Sequence, residues 1–515
     1  MAALERRAHE ACGLGVPALM DRAGAGVAEV ARRLLRARGG RRVVVVAGKG
    51  NNGGDGFVAA RDLSDGAAVT VLVVAPPADI RGEAGERLRA LAESSVPVQA
   101  TAALDDAALA RALGDADLVV DAIFGTGFRG PAREEPARVI EAINRSGAQV
   151  LAVDVPSGCD AETGRADPPC VHAAATVTMG LPKLGLTQYP AAAYAGAVFV
   201  ADIGLPRTLI DDAPIGAALA GAAWVERALP RRAVDAHKGL AGRVTIVAGA
   251  RGFVGAAILA ARGALRAGAG LVTVGLPASL ASVSAGSLPE AMTRALPETE
   301  DGTVAAGAVE AVLEMVGAAS AAAFGPGLTT HADVSALIRA VLPRVACPVV
   351  LDADALNVLA GEPARFRDVR APLVVTPHPG ELARLVGGAV PEIQRGRVAA
   401  ARAAAASLGA TVVLKGAGTV VAEPGGAVRI VPSGTAAMAT AGMGDVLTGA
   451  VAALLAGGLP PFDAAACGAY LHGLAGRLVA CADRGLLAHE VADALPRALD
   501  RVRRGEIDDG FRAVP

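Results

Sequence analysis

The chain has 515 residues, 53% of them hydrophobic and only 3% aromatic, with a formal net charge of −2. That length exceeds one ordinary hydrophobic core and points to about two to four domains. Near-neutral charge, with no basic run and few aromatic stacking platforms, excludes nucleic acid as an expected partner. The apolar excess is Ala and Val spread along the chain, without the roughly eighteen uninterrupted apolar residues of a membrane span. Glu5, Arg6, Arg7 and Glu10 stand where a signal peptide needs its apolar core. The sequence therefore reads as soluble and cytoplasmic, with no membrane partner. Cys12, Cys159, Cys170, Cys347, Cys467 and Cys481 are far apart and form no C-x-x-C pair. They read as small buried side chains for the most part, not as a zinc set or a disulfide framework.

Leu19, Ala23, Val27, Val30 and Leu34 share one helical face that stops at Gly39-Gly40. Arg42 to Ala47 then reads as a buried strand, with further strands expected at 68–75, 118–124, 150–155, 176–179 and 198–201. Short Val-rich runs alternating with helical patterns predict parallel βαβ units in a doubly wound, Rossmann-like α/β sheet. The first strand runs into Gly48-Lys49-Gly50-Asn51-Asn52-Gly53-Gly54-Asp55-Gly56, ahead of an apolar helix expected from Phe57. Glycines at this density let backbone N–H groups approach a phosphate, and a helix N-terminus adds partial positive charge. The segment is no Walker A loop, because Lys49 precedes the glycines and no G-K-[ST] closes it.

Asp121 opens the run Asp-Ala-Ile-Phe-Gly-Thr-Gly-Phe-Arg-Gly, and Asp154 lies in Val-Asp-Val-Pro-Ser-Gly at 153–158. Either aspartate alone reads equally as a helix cap. In an open α/β sheet, however, the carboxyl ends of neighbouring strands converge on one crevice, so these segments and the Asn-Asn-Gly-Gly-Asp turn point to one ligand site.

Residues 15–210 closely resemble the epimerase domain of the NAD(P)H-hydrate repair enzymes. The likeness rests on Leu19-Met20 with Ala23-Gly24, Gly50 to Gly56, Gly125 to Gly130, Val153 to Gly158 and Ala201-Asp202-Ile203-Gly204-Leu205-Pro206, in that order and spacing. The segment before Leu19 is shorter and more charged than that family has. The resemblance implies a potassium ion held by Asn52, Asp121 and Ser157. It places Asn51, Asn52, Gly53, Gly54 and Asp55, with Gly125, Thr126, Gly127, Phe128, Arg129 and Gly130, on the hydrated dinucleotide. Asp154 would contact the same ligand as the acid/base. Amide, carboxylate and hydroxyl oxygens suit a hard cation, and one positioned carboxylate can move the protons that inversion of a hydroxyl-bearing ring carbon needs.

From Ala213 to Gly239 the pattern turns irregular, with Pro214, Pro230 and Arg231-Arg232, so a linker or domain entry is expected there. It divides the chain into domains 1–212 and 213–515. A second βα series follows, with strands expected at 244–248, 271–274, 349–352, 373–376, 412–414 and 419–421. Polar clusters sit near its strand ends: Gly249 to Gly255 leading into Ala256, Gly325-Pro326-Gly327-Leu328, Asp352-Ala353-Asp354, and Thr376-Pro377-His378-Pro379-Gly380-Glu381. Lys415-Gly416-Ala417-Gly418-Thr419 reads as a hairpin turn. Ala441-Gly442-Met443-Gly444-Asp445 delivers an aspartate into the start of an apolar helix. Such a turn offers N–H groups to a transferring phosphoryl group while its carboxylate accepts the proton of the attacking hydroxyl. In isolation Asp445 also reads as an N-cap, and His378 as a rigid loop residue.

Residues 225 to about 500 resemble the ADP/ATP-dependent NAD(P)H-hydrate dehydratases, a branch of the ribokinase-like fold. The resemblance implies nucleotide at Lys415, Gly416, Ala417, Gly418, Thr419 and Gly444, with Mg2+ accompanying ADP or ATP. It places the hydrated substrate near Ala256, Gly327, His378 and Asp445, makes Asp445 the catalytic base, and carries an expectation of homo-oligomers. Two departures stand out: Thr435-Ala436-Ala437 replaces an Asn-x-Gly segment, and Arg477 replaces an Asp. The expected activity is epimerisation of the R and S hydrates of NADH and NADPH (NADHX and NADPHX). Dehydration of the S form at the expense of ADP or ATP, through a phosphorylated intermediate, would follow. The alternatives are a ribokinase-like kinase of a small molecule such as a vitamin precursor, with an N-terminal nucleotide-binding regulatory domain, and an N-terminal half acting only as a sensor. A fused epimerase domain serves a dehydratase specific for one epimer and has no use beside a vitamin kinase.

Overall fold

A computed structural model describes residues 1–514. The chain forms two compact units, one from Met1–Ile215 with the residues from Gly510 onward, the other from Gly216–Asp509. No helix among the described residues is long and apolar enough to cross a membrane. Of the six cysteines, all free, Cys12 and Cys481 are exposed and Cys347 half-buried, so only the other three behave as the buried side chains expected.

The first unit is built on eight strands: β1 (Arg42–Ala47), β2 (Ala68–Val73), β3 (Val98–Ala100), β4 (Leu118–Ala122), β5 (Gln149–Val153), β6 (Ala175–Met179), β7 (Ala197–Ala201) and a late arrival, Phe511–Val514. Their order is Phe511–Val514, β7, β6, β5, β4, β1, β2, β3, and every pairing is parallel. Strands covered on both faces need near-continuous β-branched runs, which is why Val43 to Ala47 are all buried. Strand order reverses at β1, whose neighbours are β2 on one side and β4 on the other. A crevice opens at such a switch point, beyond the carboxyl ends of the strands.

Two expectations need correction. Residues 511–514 were assigned with the second half of the sequence, yet they add an edge strand to the first sheet, and Val514 is buried in that unit's core. Four residues after a Gly510 turn carry too little periodicity to reveal a strand. The helix expected from Phe57 begins at Asn51. Its glycines serve close packing, not a flexible loop: a methyl group at Gly53 would lie 2.0 Å from the Gly48 carbonyl oxygen.

The second unit carries a ten-stranded sheet. In chain order its strands are β8 (Ala217–Leu219), β9 (Arg243–Val247), β10 (Leu271–Pro277), β11 (Met292–Leu296), β12 (Ala321–Phe324), β13 (Val349–Leu351), β14 (Leu373–Val375), β15 (Thr411–Leu414), β16 (Thr419–Ala422) and β17 (Val428–Val431). The spatial order is β11-β10-β9-β12-β13-β14-β15-β16-β17-β8, parallel except for the β15–β16 and β16–β17 pairs. The stretch read as a linker therefore contributes structure of its own: β8 closes the sheet edge against β17, and Ala222–Ala228 is helical. Here the switch point lies at β9, between β10 and β12.

Behind that sheet the helices Val254–Ala267 and Met443–Ala456 lie unusually close, because small residues face each other along them. A methyl group at Gly449 would stand 1.8 Å from the Ala260 carbonyl oxygen. Gly449→Ala therefore forces the two backbones apart and is expected to destabilise the protein by roughly 1–3 kcal/mol. The midpoint of chemical denaturation measures it, and an unchanged midpoint would refute the tight approach.

Candidate functional site

Each sheet's carboxyl edge gathers glycine turns and buried carboxylates. In the first unit Asp121, the penultimate residue of β4 and 0% exposed, receives the Ser157 N–H at 2.8 Å, the Ser157 hydroxyl at 2.7 Å and the Ile123 N–H at 3.3 Å. These donors are neutral, so burial dominates and pushes the Asp121 carboxyl up to about 6. The Phe124 N–H donates to the Ser157 hydroxyl at 2.9 Å, which ties the 123–130 loop to the same spot. Asn52 faces this loop: a methyl group at Gly125 would lie 2.9 Å from its Oδ1, and its buried Nδ2 has no hydrogen-bond partner. The Asp121 carboxylate, the Ser157 hydroxyl and the Asn52 Oδ1 supply oxygens of the kind a hard cation takes.

Asp154 follows β5 and is 7% exposed. Its backbone is left-handed, with φ 65°, a conformation Asp tolerates better than most residues. Oδ2 accepts from the Thr126 N–H at 3.3 Å, which brings the Gly125–Gly130 loop to the carboxylate. Oδ1 lies 2.8 Å from the ammonium of Lys183. Asp55, half-buried in the second turn of the Asn51–Leu63 helix, is pushed well above the usual carboxylate range by burial and then by the negative charge of Asp154. The N–H groups of Asn51, Asn52 and Gly53 stand in the first turn of that helix, where nothing within the helix accepts them. Gly127 and Gly130 leave open space beside them, while Phe128 stacks on Phe124 with ring centroids 4.3 Å apart. Arg129 is already committed to Thr126 O at 2.8 Å, Phe128 O at 2.7 Å and the Glu162 carboxylate at 2.8 Å.

In the second unit Asp445 occupies the first turn of the Met443–Ala456 helix, entered through Gly442. Burial and the neighbouring Asp352 raise its carboxyl to about 7, against the opposing pull of Lys415. Asp352, 1% exposed at the end of β13, receives the Lys415 ammonium at 2.7 Å on Oδ1 and the Thr448 hydroxyl at 2.8 Å on Oδ2. Glu381 Oε2 stands 3.7 Å from the same ammonium. Burial alone would lower the Lys415 pKa, but Asp352 and Glu381 outweigh it and raise it. A methyl group at Gly444 would sit 3.3 Å from that ammonium, so the glycine turn passes directly over the cluster.

The remaining expected residues fall around this cluster. His378 caps the Pro379–Val386 helix: its Nδ1 accepts from the Gly380 N–H at 3.0 Å, while its backbone N–H donates to the Glu381 carboxylate at 2.7 Å. Its imidazole is thus half a structural cap, with Nε2 3.5 Å from the carboxylate of Glu381. The Lys415 N–H donates to Pro377 O at 2.9 Å, joining the His378 loop to the β15–β16 hairpin turn Lys415–Thr419. The Thr419 hydroxyl closes that turn on Gly416 O at 2.8 Å. Ala256 and Gly327 flank the switch point together, a methyl group at Gly327 lying 3.1 Å from the Ala256 Cβ. Of the two departures, Arg477 donates to Asp508 O at 3.1 Å, and residues 436–438 form a single 3₁₀ turn.

Sequence reasoning missed Lys183, Asp352 and Glu381 as charge partners, and also Arg397 and His472. Arg397 is buried and donates to Leu414 O at 3.0 Å and Lys415 O at 3.2 Å, propping the hairpin turn; burial lowers its pKa to about 10. His472 is 7% exposed, its Nε2 unpartnered, and burial followed by the charge of Lys415 holds its pKa near 4. Lys183 had a weak signal, a lone lysine inside an apolar stretch; Asp352 and Glu381 stood in polar clusters near strand ends but with nothing to mark their lysine partner, and Arg397 and His472 had no signal. An Asp whose pKa is raised on folding destabilises the native state increasingly as pH climbs from its ordinary value to its raised one, then by a constant amount. Asp445→Asn should therefore stabilise the second unit by on the order of 2 kcal/mol near neutrality, with a gain that grows from pH 4 to about 7 and then levels. Melting curves across that range check it; a gain independent of pH rejects the buried, like-charged setting.

A family model described as NAD(P)H-hydrate dehydratase matches residues 244–497, and one described as YjeF-related protein N-terminus matches residues 16–185. A bifunctional NAD(P)H-hydrate repair enzyme of Moorella thermoacetica is 45% identical over 93% of this chain and 92% of its own length. Another from Thermofilum pendens is 40% identical over 97% and 95%. The crystal structure of an ADP/ATP-dependent NAD(P)H-hydrate dehydratase from Bacillus subtilis, co-crystallised with ATP and Mg2+, is 34% identical; the likeness covers 55% of this chain and 98% of that one at a TM-score of 0.49. With both halves matched and such relatives similar along nearly its whole length, the chain belongs to the family of bifunctional NAD(P)H-hydrate repair enzymes.

Proposed function

We propose that the protein repairs hydrated NADH and NADPH, the first unit interconverting the R and S hydrates and the second dehydrating the S form with ADP or ATP. The observation that carries this reading is the presence, in one chain, of two separate strand-end sites that each present a buried-side aspartate beside a glycine turn at a helix start. Membership of the bifunctional family favours it over a vitamin-precursor kinase, for which the first site has no task.

In the first site the Asn51–Asp55 turn and the Gly125–Gly130 loop bind the dinucleotide, with helix N–H groups meeting its phosphates. Asp154 takes and returns the proton that inversion of the hydroxyl-bearing carbon requires. Asn52, Asp121 and Ser157 would hold the potassium ion, which when bound neutralises the Asp121 charge and pins the two ligand loops together. In the second site the hydrated ring lies toward Ala256, Gly327 and His378, and the nucleotide toward Lys415–Thr419 and Gly444. Asp445 accepts the proton of the substrate hydroxyl as its oxygen attacks the terminal phosphoryl group, leaving AMP from ADP or ADP from ATP. The ring nitrogen's lone pair then expels phosphate, and loss of a proton from the adjacent carbon restores the dihydropyridine. Mg2+ supplies charge neutralisation on the nucleotide, and the surplus of carboxylates over cations around Lys415 suits it. The resemblance of the second unit to the dehydratases also supports a homo-oligomer.

Purified protein given mixed hydrates and either nucleotide should regain the near-ultraviolet absorbance of the dihydropyridine with release of one phosphate per turnover. Accumulation of a stable phosphorylated alcohol would reject the proposal. Asp445→Asn should lower dehydration by ~10²–10⁴-fold, whereas Asp154→Asn should leave the S hydrate consumed and the R hydrate behind, apart from its spontaneous interconversion. Because Asp445 must be ionised to act, wild-type dehydration should fall as pH drops through about 7. Asp352→Asn, removing the like charge, should move that limb to lower pH; an unmoved limb would separate Asp445 from the pH dependence.

A further inference from the structure

Lys183 belongs to no expected binding or catalytic segment, yet it sits against the proposed base of the first site. Its ammonium has four oxygen neighbours: Asp154 Oδ1 at 2.8 Å, Met179 O at 2.7 Å, Thr178 Oγ1 at 3.1 Å and Leu181 O at 3.2 Å. Lys183 and Asp154 are each 7% exposed. An ammonium has three hydrogens, so these acceptors saturate it and leave nothing to offer a ligand. Its work is done through Asp154.

The two carboxylate oxygens of Asp154 are treated differently. Oδ1 is crowded, taking the ammonium together with the Thr178 hydroxyl at 3.3 Å and the Met179 N–H at 3.4 Å. Oδ2 has one long contact, the Thr126 N–H at 3.3 Å, and so faces the Gly125–Gly130 loop with a lone pair to spare. The other ionisable group facing the pair is Asp55, from the Asn51–Leu63 helix, which itself feels Glu5. Thr178 links the two partners, donating to the carboxylate while accepting from the ammonium. From this geometry we infer that Lys183 is a positioning residue for epimerisation: it occupies Oδ1, holds the left-handed Asp154 turn in place, and dedicates Oδ2 to proton exchange with the hydrated ring.

This inference rests on Asp154 being the proton-exchanging group, and the experiment separates the two claims. In the full-length protein, consumption of the R hydrate is followed beside dehydration of the S hydrate, whose site lies in the other unit and serves as internal control. Lys183→Met should reduce the epimerisation kcat by ~100-fold with KM held within about threefold, while S-hydrate dehydration is unchanged. Lys183→Arg, which keeps the charge, should recover at least about a tenth of the wild-type kcat. If Lys183→Met loses protease resistance in its first unit, Lys183→Gln, which retains donors toward Thr178 and Met179, takes its place with the same expected loss. Wild-type kcat in the uncharged variants, a loss confined to KM, or an arginine variant no better than the methionine one would each overturn the inference. Should Asp154→Asn itself keep full epimerisation, the underlying reading fails instead, whatever Lys183 does.

Discussion

A carboxylate taken out of water at the end of a parallel strand is expensive, and both units are arranged around that expense. Asp154 and Asp352 each directly follow a strand, are nearly inaccessible, and take a lysine ammonium at 2.8 and 2.7 Å respectively. Removing water from two opposite charges repays its penalty only when the geometry is good and the remaining donors find acceptors. Both pairs meet that condition: Lys183 is saturated by carbonyl and hydroxyl oxygens, and Asp352 uses its second oxygen on Thr448. Each pair then fixes the glycine turns around it, since a buried ion pair tolerates little displacement of the backbone that supplies it.

The glycines follow from that constraint as much as from ligand binding. Gly53 lets the Asn51–Leu63 helix start against the Gly48 carbonyl, and Gly444 lets the Met443–Ala456 helix start over the Lys415 ammonium. Both helices therefore begin earlier or lower than bulkier residues would allow, and their unpaired N–H groups arrive at the strand ends where the carboxylates sit. Some strain is accepted in return. Ala353, next to Asp352, is held at φ 47°, a region a residue with a Cβ normally avoids, at a cost of about 1–3 kcal/mol.

The strands that the sequence announced were legible because their cause is local: runs such as Val43 to Val46 or Val412 to Leu414 declare a doubly covered sheet by themselves, whereas β3, β8, β11, β12 and β17 were not expected. The glycine turns were legible for the same reason, as were Asp121, Asp154 and Asp445 at their ends. What escaped depends on partners remote in sequence. Glu381 caps its own helix through the His378 backbone N–H, and its second role beside Lys415 arises only once β14 and β15 are neighbours. His472 lies in the middle of an apolar helix with nothing nearby in sequence to mark it, and becomes distinctive only when the fold sets it near Lys415. Phe511–Val514 is a strand because β7 offers an open edge, and no property of the four residues announces it. The start of the Asn51–Leu63 helix was misjudged because glycine counts against a helix in isolation, whereas here close packing outweighs propensity.

The two proposed bases show how one residue type is set to two tasks. Asp154 has an ammonium of its own at 2.8 Å on Oδ1, together with a hydroxyl and a backbone N–H, so that oxygen is held while Oδ2, with one long N–H contact, is left to take and return a proton. Asp445 has no cation to itself. The nearest lysine is already shared by Asp352 and Glu381, and the net effect of that neighbourhood and of burial is a carboxyl poised near neutrality. A base in that position grips a proton firmly once it has taken it, which suits a step in which an alcohol must surrender its proton as its oxygen attacks a phosphoryl group. The difference between the sites is thus set by where each lysine spends its charge. In the first unit it faces the proposed base directly, and in the second it faces the acid behind it.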